Sequence, residues 1–233
     1  MIYLHLIVEG HSEENFVKRI LAPYLGYDYC VEASRVTMSK DKSRGQQHKG
    51  GLFKYEKAKT DITNWLKQDR RRESRFTTMF DFYHLPNSFP DFSDAETIIN
   101  DPYKKVKFLE ESLAKDISDS RFIPYIQLHE FEAMIFVDPS RLIDEYPDAE
   151  KRIEVLKGVT TTPELINDDP NTAPSKRILA QIPNFNKPFA GVNTVEKIGI
   201  DAIRKKCPHF DEWLKKLERL QQQYQASYQT NTP

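Results

Sequence analysis

Acidic residues stand at the ends of three separate apolar runs. The run 2–8 ends in Glu9 and Gly10, with Glu13 one helical turn further on; the run 76–80 leads to Asp81, Phe82 and Tyr83; the run 122–128 leads to His129, Glu130, Phe131 and Glu132. Carboxylates brought together from separate strands repel one another and raise each other's pKa unless a cation neutralises them. Mg²⁺ or Mn²⁺ suits such a set, because hard ions prefer carboxylate and water oxygens, grip phosphate oxygens and lower the pKa of a bound water. The chemistry this predicts is phosphodiester cleavage, with Glu9, Asp81 and Glu130 as metal ligands and Glu13 as auxiliary ligand or base.

The neighbours of these residues carry two readings each. Gly10 lets the chain turn sharply out of a strand and lets backbone approach a phosphate, towards which a helix capped near Ser12 would aim its first amides. Glu13 is either a further ligand or an acid that favours a helix first turn. His129 is a weak candidate for base or ligand, since a lone histidine more often packs or hydrogen-bonds. Glu132 lies two positions after Glu130; on a helix the two diverge by about 200°, so one of them is expected to face the site.

Between Arg35 and Arg75 there are thirteen Lys or Arg against five Asp or Glu, although the whole chain carries a net charge of −1. That excess is a solvated face or a phosphate-backbone surface, and Arg35, Arg44, Lys49, Lys176 and Arg177 are the candidate phosphate contacts. Lys176 and Arg177 read equally as the first turn of a helix after Pro174. The string GQQHKGG does not follow the order of a nucleotide-binding P-loop and is rejected as one. Phe80, Phe82, Phe131 and Phe136 are expected in the core rather than stacked on bases, and the two short helical patterns around Gly199 are read as ordinary helix packing ahead of a nucleic-acid-binding hairpin.

Such residues converge only if the elements do. The run 2–8, then Phe16, Val17, Ile20 and Leu21 at helical spacing, make a βα unit. A strand follows within 29–38, a Lys/Gly-rich mobile loop at 39–51, a helix through Tyr55, Ala58, Ile62 and Leu66, a strand at 76–82, irregular chain at 84–101, a helix through Val106, Leu109, Leu113 and Ile117, and a strand at 122–128. Strands alternating with helices predict an α/β fold with a mostly parallel sheet, whose ligand site lies at the carboxyl ends of its strands. Beyond 137, the seven prolines from Pro139 to Pro188 divide the chain into short helical pieces with no convincing strand. The expected organisation is an α/β domain over 1–137, a helical annex over 138–222 packed on it, and a polar tail over 223–233.

Composition narrows the class. Hydrophobic residues at 39% and aromatics at 12% allow a real core. No run approaches the roughly 18 to 20 apolar residues of a membrane span, and two distant cysteines build neither a disulfide framework nor a zinc site. A cytoplasmic protein without membrane association is expected, and a homo-oligomer is left open.

The strings VEGHSEE, TTMFDFYHLP and IQLHEFEAMIF resemble the Toprim domain of topoisomerases, primases and overcoming-lysogenization-defect nucleases. With SKRI at 175–178 and CPHFDEWLKKL at 207–217 they look like the uncharacterised domain-of-unknown-function family 4276, over nearly the whole chain. The resemblance implies a Toprim-like, Rossmann-like fold with helices flanking the sheet, Mg²⁺- or Mn²⁺-dependent cleavage of DNA or RNA, and an ABC-type or AAA-type ATPase partner in anti-phage or mobile-element loci. On it, Glu9 matches the first glutamate, Asp81 the first aspartate of an Asp-x-Asp pair, Glu130 the later acid and Glu13 the second acid of the nuclease branch. Position 83 departs, with Tyr83 where the pair has its second aspartate; Glu130, Glu132 or Asp91 is the expected substitute. That departure also supports a rival expectation, a non-catalytic sensor or regulatory subunit of an ATPase complex. A phosphate-ester enzyme acting on a small nucleotide is a third, and it needs a deep closed pocket.

Overall fold

The computed structural model describes residues 1–36, 54–166 and 172–229. Its sheet is parallel throughout, in the order β2-β1-β3-β4, from β1 (Ile2–Val8), β2 (Tyr29–Arg35), β3 (Ser74–Asp81) and β4 (Phe122–Ile123), with β5 (Ile126–Gln127) also pairing with β3. The α/β expectation holds. β1 is central and buried on both faces, which is why it reads as a continuous apolar run and not as an alternating one. The expected strand over 122–128 is broken into two short pieces. Pro124 has no N–H for the ladder, and the Thr78 hydroxyl stands in for it, accepting from Tyr125 N (3.0 Å) and lying 2.9 Å from Tyr125 O.

Crossover handedness decides which helices cover which face. The β1-to-β2 connection runs one way along the sheet and places α1 (His11–Phe16), a π turn (Val17–Leu21) and α2 (Ala22–Leu25) against one face, through Phe16, Val17 and Leu21. The connections from β2 to β3 and β3 to β4 run the other way. They place α3 (Tyr55–Gln68) and α5 (Pro102–Ile117) on the opposite face, where Ile62, Leu66, Val106 and Leu109 pack on Ile7, Phe76 and Phe80. A short helix, α4 (Phe92–Ala95), precedes α5 in the stretch read as irregular.

One crossover cannot cover a whole sheet face, and the rest of the chain completes it. Among the described residues no strand follows Gln127; the chain continues through 3₁₀ turns and α6 (Glu150–Lys157), α7 (Pro174–Gln181), α8 (Val192–Ile198), α9 (Ile200–Lys206) and α10 (Pro208–Gln229). α10 closes the core. Trp213 is buried, stacks on Tyr125 with centroids 4.3 Å apart, and donates from its indole to Thr77 Oγ1 at 3.0 Å. The helix start is fixed by buried Glu164, which accepts from His209 N (3.0 Å) and Phe210 N (2.9 Å), the orphan amides of a helix N-terminus. The annex therefore shares one apolar cluster with β1. Trp213→Ala is expected to cost about 3–5 kcal/mol, as large-to-small changes in a packed core do, read as a lower denaturant midpoint with an unchanged slope.

Candidate metal centre

In the order β2-β1-β3 the chain leaves β1 in one direction and returns past it in the other, so the crevice of this sheet opens at the carboxyl ends of β1 and β3. Glu9 follows β1 and Asp81 ends β3, on adjacent strands paired as far as Val8 and Met79. The two carboxylates are locked by backbone. Glu9 Oε1 accepts from Asp81 N at 3.1 Å, and Asp81 Oδ1 accepts from Phe131 N at 3.0 Å. Each is left with one oxygen, and these converge on His84: Nδ1 lies 3.3 Å from Glu9 Oε2 and 3.6 Å from Asp81 Oδ2. Ligand atoms of Glu9, Asp81 and His84 all lie within 4.8 Å of one another.

His84 carried no signal in the sequence reading. It sits three residues after Asp81 on the 3₁₀ turn Phe82–His84, and three residues is one turn of that helix, so the two side chains share a face. Its pKa is raised to about 11 by hydrogen bonds to Asp81 and Glu9.

Glu13 joins from the first turn of α1. Its Oε2 accepts from Gly10 N at 2.8 Å, so it caps the helix from within, which is the first-turn reading, and it adds a charge to the cluster. The cap is Gly10 and not Ser12, which lies inside the helix. Gly10 is extended, with φ −141°, so no sharp turn requires a glycine. Space is tight instead: a Cβ there would lie 3.0 Å from Glu13 Oε2, and that carboxylate would have to give by a few tenths of an ångström.

Glu130 and Glu132 close the cluster from the far side. The expectation that only one faces the site assumed a helix through both. Glu130 is extended (φ −155°, ψ 166°) ahead of the 3₁₀ stretch Phe131–Val137, and both carboxylates reach the ammonium of Lys187, at 3.5 and 3.6 Å. Glu130 also accepts from Ser175 N (2.6 Å) and Ser175 Oγ (3.0 Å) at the start of α7. Its oxygens are thus engaged by the annex, and Glu9 and Asp81 are the acids with an oxygen directed to the mouth.

Burial makes this cluster electrostatically tense. Glu9, Glu13, Asp81, Glu130 and Glu132 are all buried. Burial, with the Glu13 charge adding to it, raises Glu9 against the opposing pull of His84. Burial pushes Asp81 up to about 7, with Glu9 adding to it. Burial and the Asp81 charge bring Glu13 to about 7, and burial with Glu130 and Glu13 brings Glu132 to about 7. Hard oxygen donors in this state suit a divalent cation.

The remaining candidates fall elsewhere. His129 is fully buried, its Nε2 2.9 Å from Glu164 O and its ring against Tyr83 at 5.1 Å, so the packing reading holds over base or ligand. Its φ of +65° is unusual for a residue with a side chain and turns the chain immediately before Glu130. Asp91 accepts from Ser112 Oγ at 2.8 Å, on α5 and away from the cluster. Arg35 ends β2 on the same sheet edge but is paired, with Nε 2.8 Å from Glu14 Oε2 and Nη1 2.7 Å from His11 Nε2. Lys176 is exposed on α7 and Arg177 donates to Thr172 O, which is the helix-turn reading of both. Arg44, Lys49 and the whole of the expected loop at 39–51 lie outside the described residues. Phe80, Phe131 and Phe136 are core, and Phe82 is partly buried against it.

The family model described as Domain of unknown function (DUF4276) matches residues 8–218. The chain belongs to that family. The match takes in every member of the cluster, from Glu9 to Lys187, so site and annex lie inside one family unit. No curated protein and no solved structure gives a significant match. No helix among the described residues is long and apolar enough to cross a membrane.

Proposed function

We propose that this member of the family is a divalent-metal-dependent nuclease of Toprim type, cutting phosphodiester bonds in DNA or RNA. The observation that carries the reading is the convergence of Glu9 and Asp81 at the crevice of a parallel sheet, each with one oxygen fixed by backbone and one directed to the mouth beside His84. Glu9 and Asp81 would hold the ion together with His84, whose imidazole gives up its proton on binding. A Mg²⁺ or Mn²⁺ ion bound there supplies the grip on a phosphate oxygen and the acidified water that hydrolysis needs. Glu13, whose charge reaches both Glu9 and Asp81, is the acid beside that site that could serve as general base. Lys187 adds a half-buried positive charge on the far side of the cluster.

The setting follows from the resemblance: an effector in an anti-phage or mobile-element system, working with an ABC-type or AAA-type ATPase, in the cytoplasm. A second reading, a non-catalytic regulatory subunit of such an ATPase, draws on Tyr83, whose ring rests on His129 and brings no acid to the site. End-labelled single- and double-stranded DNA and RNA, incubated with the chain alone and with its ATPase, separate the two. Cleavage that needs Mn²⁺ or Mg²⁺ and stops with chelator supports the nuclease; a stable ATPase complex that binds Mn²⁺ and cuts nothing supports the regulator.

A further inference from the structure

The acidic cluster has two halves, and each faces its own cation. At the mouth, Glu9 and Asp81 face His84. On the far side, Glu130 and Glu132 face Lys187, whose Nζ lies 3.5 Å from one and 3.6 Å from the other. The lysine's side chain is half-buried, and the backbone that carries it is held. It opens the π turn Lys187–Gly191, whose start is capped by Asn186 accepting from Phe189 N at 3.2 Å, and Asn15 of α1 donates to Pro188 O at 3.1 Å. The turn is thereby tied to the helix that also carries Glu13.

In the far half, Glu130 has little left to offer an ion. Ser175 occupies both Glu130 oxygens through its N–H and hydroxyl. Position 83, two residues beyond Asp81, contributes a phenol packed on His129 in place of a carboxylate. A divalent ion bound by Glu130 or Glu132 would sit against the ammonium and be repelled by it. An ammonium is a compact point charge with three donors, able to satisfy two carboxylates without an ion between them.

We propose that Lys187 occupies the place of a second metal ion, so that the site takes one divalent cation, at Glu9, Asp81 and His84, and uses a tethered ammonium as its other positive charge. This rests on the metal-dependent reading of the site. In cleavage, the ammonium would stabilise charge on the phosphate from the side opposite the ion.

The test is the number of Mn²⁺ ions bound per chain, by calorimetric titration and by electron paramagnetic resonance of free Mn²⁺, on the full chain. Wild type and Lys187→Arg are expected to bind one ion. Lys187→Met and Lys187→Gln, the latter keeping a polar head against the same carboxylates, are expected to bind two, the second more weakly. Two ions in wild type, or one ion in both neutral variants when circular dichroism shows either to be folded, overturns the lysine's role and leaves the metal site standing. No Mn²⁺ bound by wild type at millimolar concentration overturns the metal reading and the lysine proposal with it.

Discussion

Replacing Glu9 by glutamine or Asp81 by asparagine is expected to lower Mn²⁺ affinity by roughly 100-fold or more while leaving the fold intact or more stable. Even partners that only orient a ligand are worth about 10- to 100-fold in affinity, so loss of a charged ligand sets a larger effect. Stability moves the other way for a local reason. Glu9 Oε1 accepts from Asp81 N and Asp81 Oδ1 accepts from Phe131 N, and an amide oxygen can accept each bond in the same geometry, though more weakly than a carboxylate. Each substitution therefore keeps the backbone locks and removes one buried negative charge from among four others. Without metal the variants should melt at the same temperature as wild type or a few degrees above it, about what 1 kcal/mol is worth in a domain of this size. Calorimetric Mn²⁺ titration beside metal-free thermal melts checks both halves. Variants that bind Mn²⁺ as wild type does would remove Glu9 and Asp81 from the site. Variants that melt well below wild type would show that the carboxylates hold the fold together.

What the sequence disclosed and what it withheld divide along physical lines. Glu9 and Asp81 were legible because their placement depends on local pattern alone: an apolar run sets a strand, and the next residue sits at its carboxyl end. The parallel sheet followed from the same alternation. His84 was within reach of a rule, one 3₁₀ turn after Asp81, but HLP reads as an irregular exit from the strand and hides that turn. Lys187 and Ser175 were beyond any local rule. Each reaches Glu130 from the annex, 57 and 45 residues further along the chain; Lys187 stands in no pattern that sets it apart, and Ser175 only opens the SKRI string of the family resemblance, which gives it no role. Glu132 was misplaced by an assumed helix that Glu130 does not enter. Ser12 as cap failed for a related reason, since capping preference cannot register that Glu13 reaches back to accept from Gly10 N.

The annex has a double dependence on the sheet. Its α10 fills the face that a single crossover leaves open, through Trp213 on Tyr125, while α7 and the turn at 187 deliver Ser175 and Lys187 to Glu130. Packing and site assembly thus use the same segment. An annex that came off the sheet would take away the two groups that satisfy Glu130 and leave its charge buried among Glu132, Glu13 and Asp81, a costly state.

Metal-free protein is expected to lose stability as pH rises from about 5 to 8, and divalent metal to cancel most of that loss. Asp81 stands at about 7 in the fold against an ordinary 3.8, and Glu13 and Glu132 at about 7 against 4.5. A carboxyl with its pKa raised by folding favours the folded state fully below the ordinary value and loses that advantage as pH climbs through the raised one. Each pKa unit is worth about 1.4 kcal/mol, and the groups share one cluster, so the combined loss is on the order of a few kcal/mol. His84 runs in the same direction at higher pH, its contribution present below about 6.5 and lost through about 11. Asp69 and Asp119, held low chiefly by Arg71 and Arg121, run oppositely and lose their contribution as pH falls, which places the metal-free maximum in mildly acid solution. A divalent ion replaces protons as the neutralising charge, so its stabilising effect must grow as protons leave. Thermal melts at pH 5.5 and pH 8, with chelator and with Mn²⁺, are expected to show a larger Mn²⁺ shift at pH 8, and Glu13→Gln is expected to reduce the difference. A chelated protein that melts higher at pH 8 than at pH 5.5, or a Mn²⁺ shift equal at both, would mean that the five carboxylates do not act as one charge-loaded cluster.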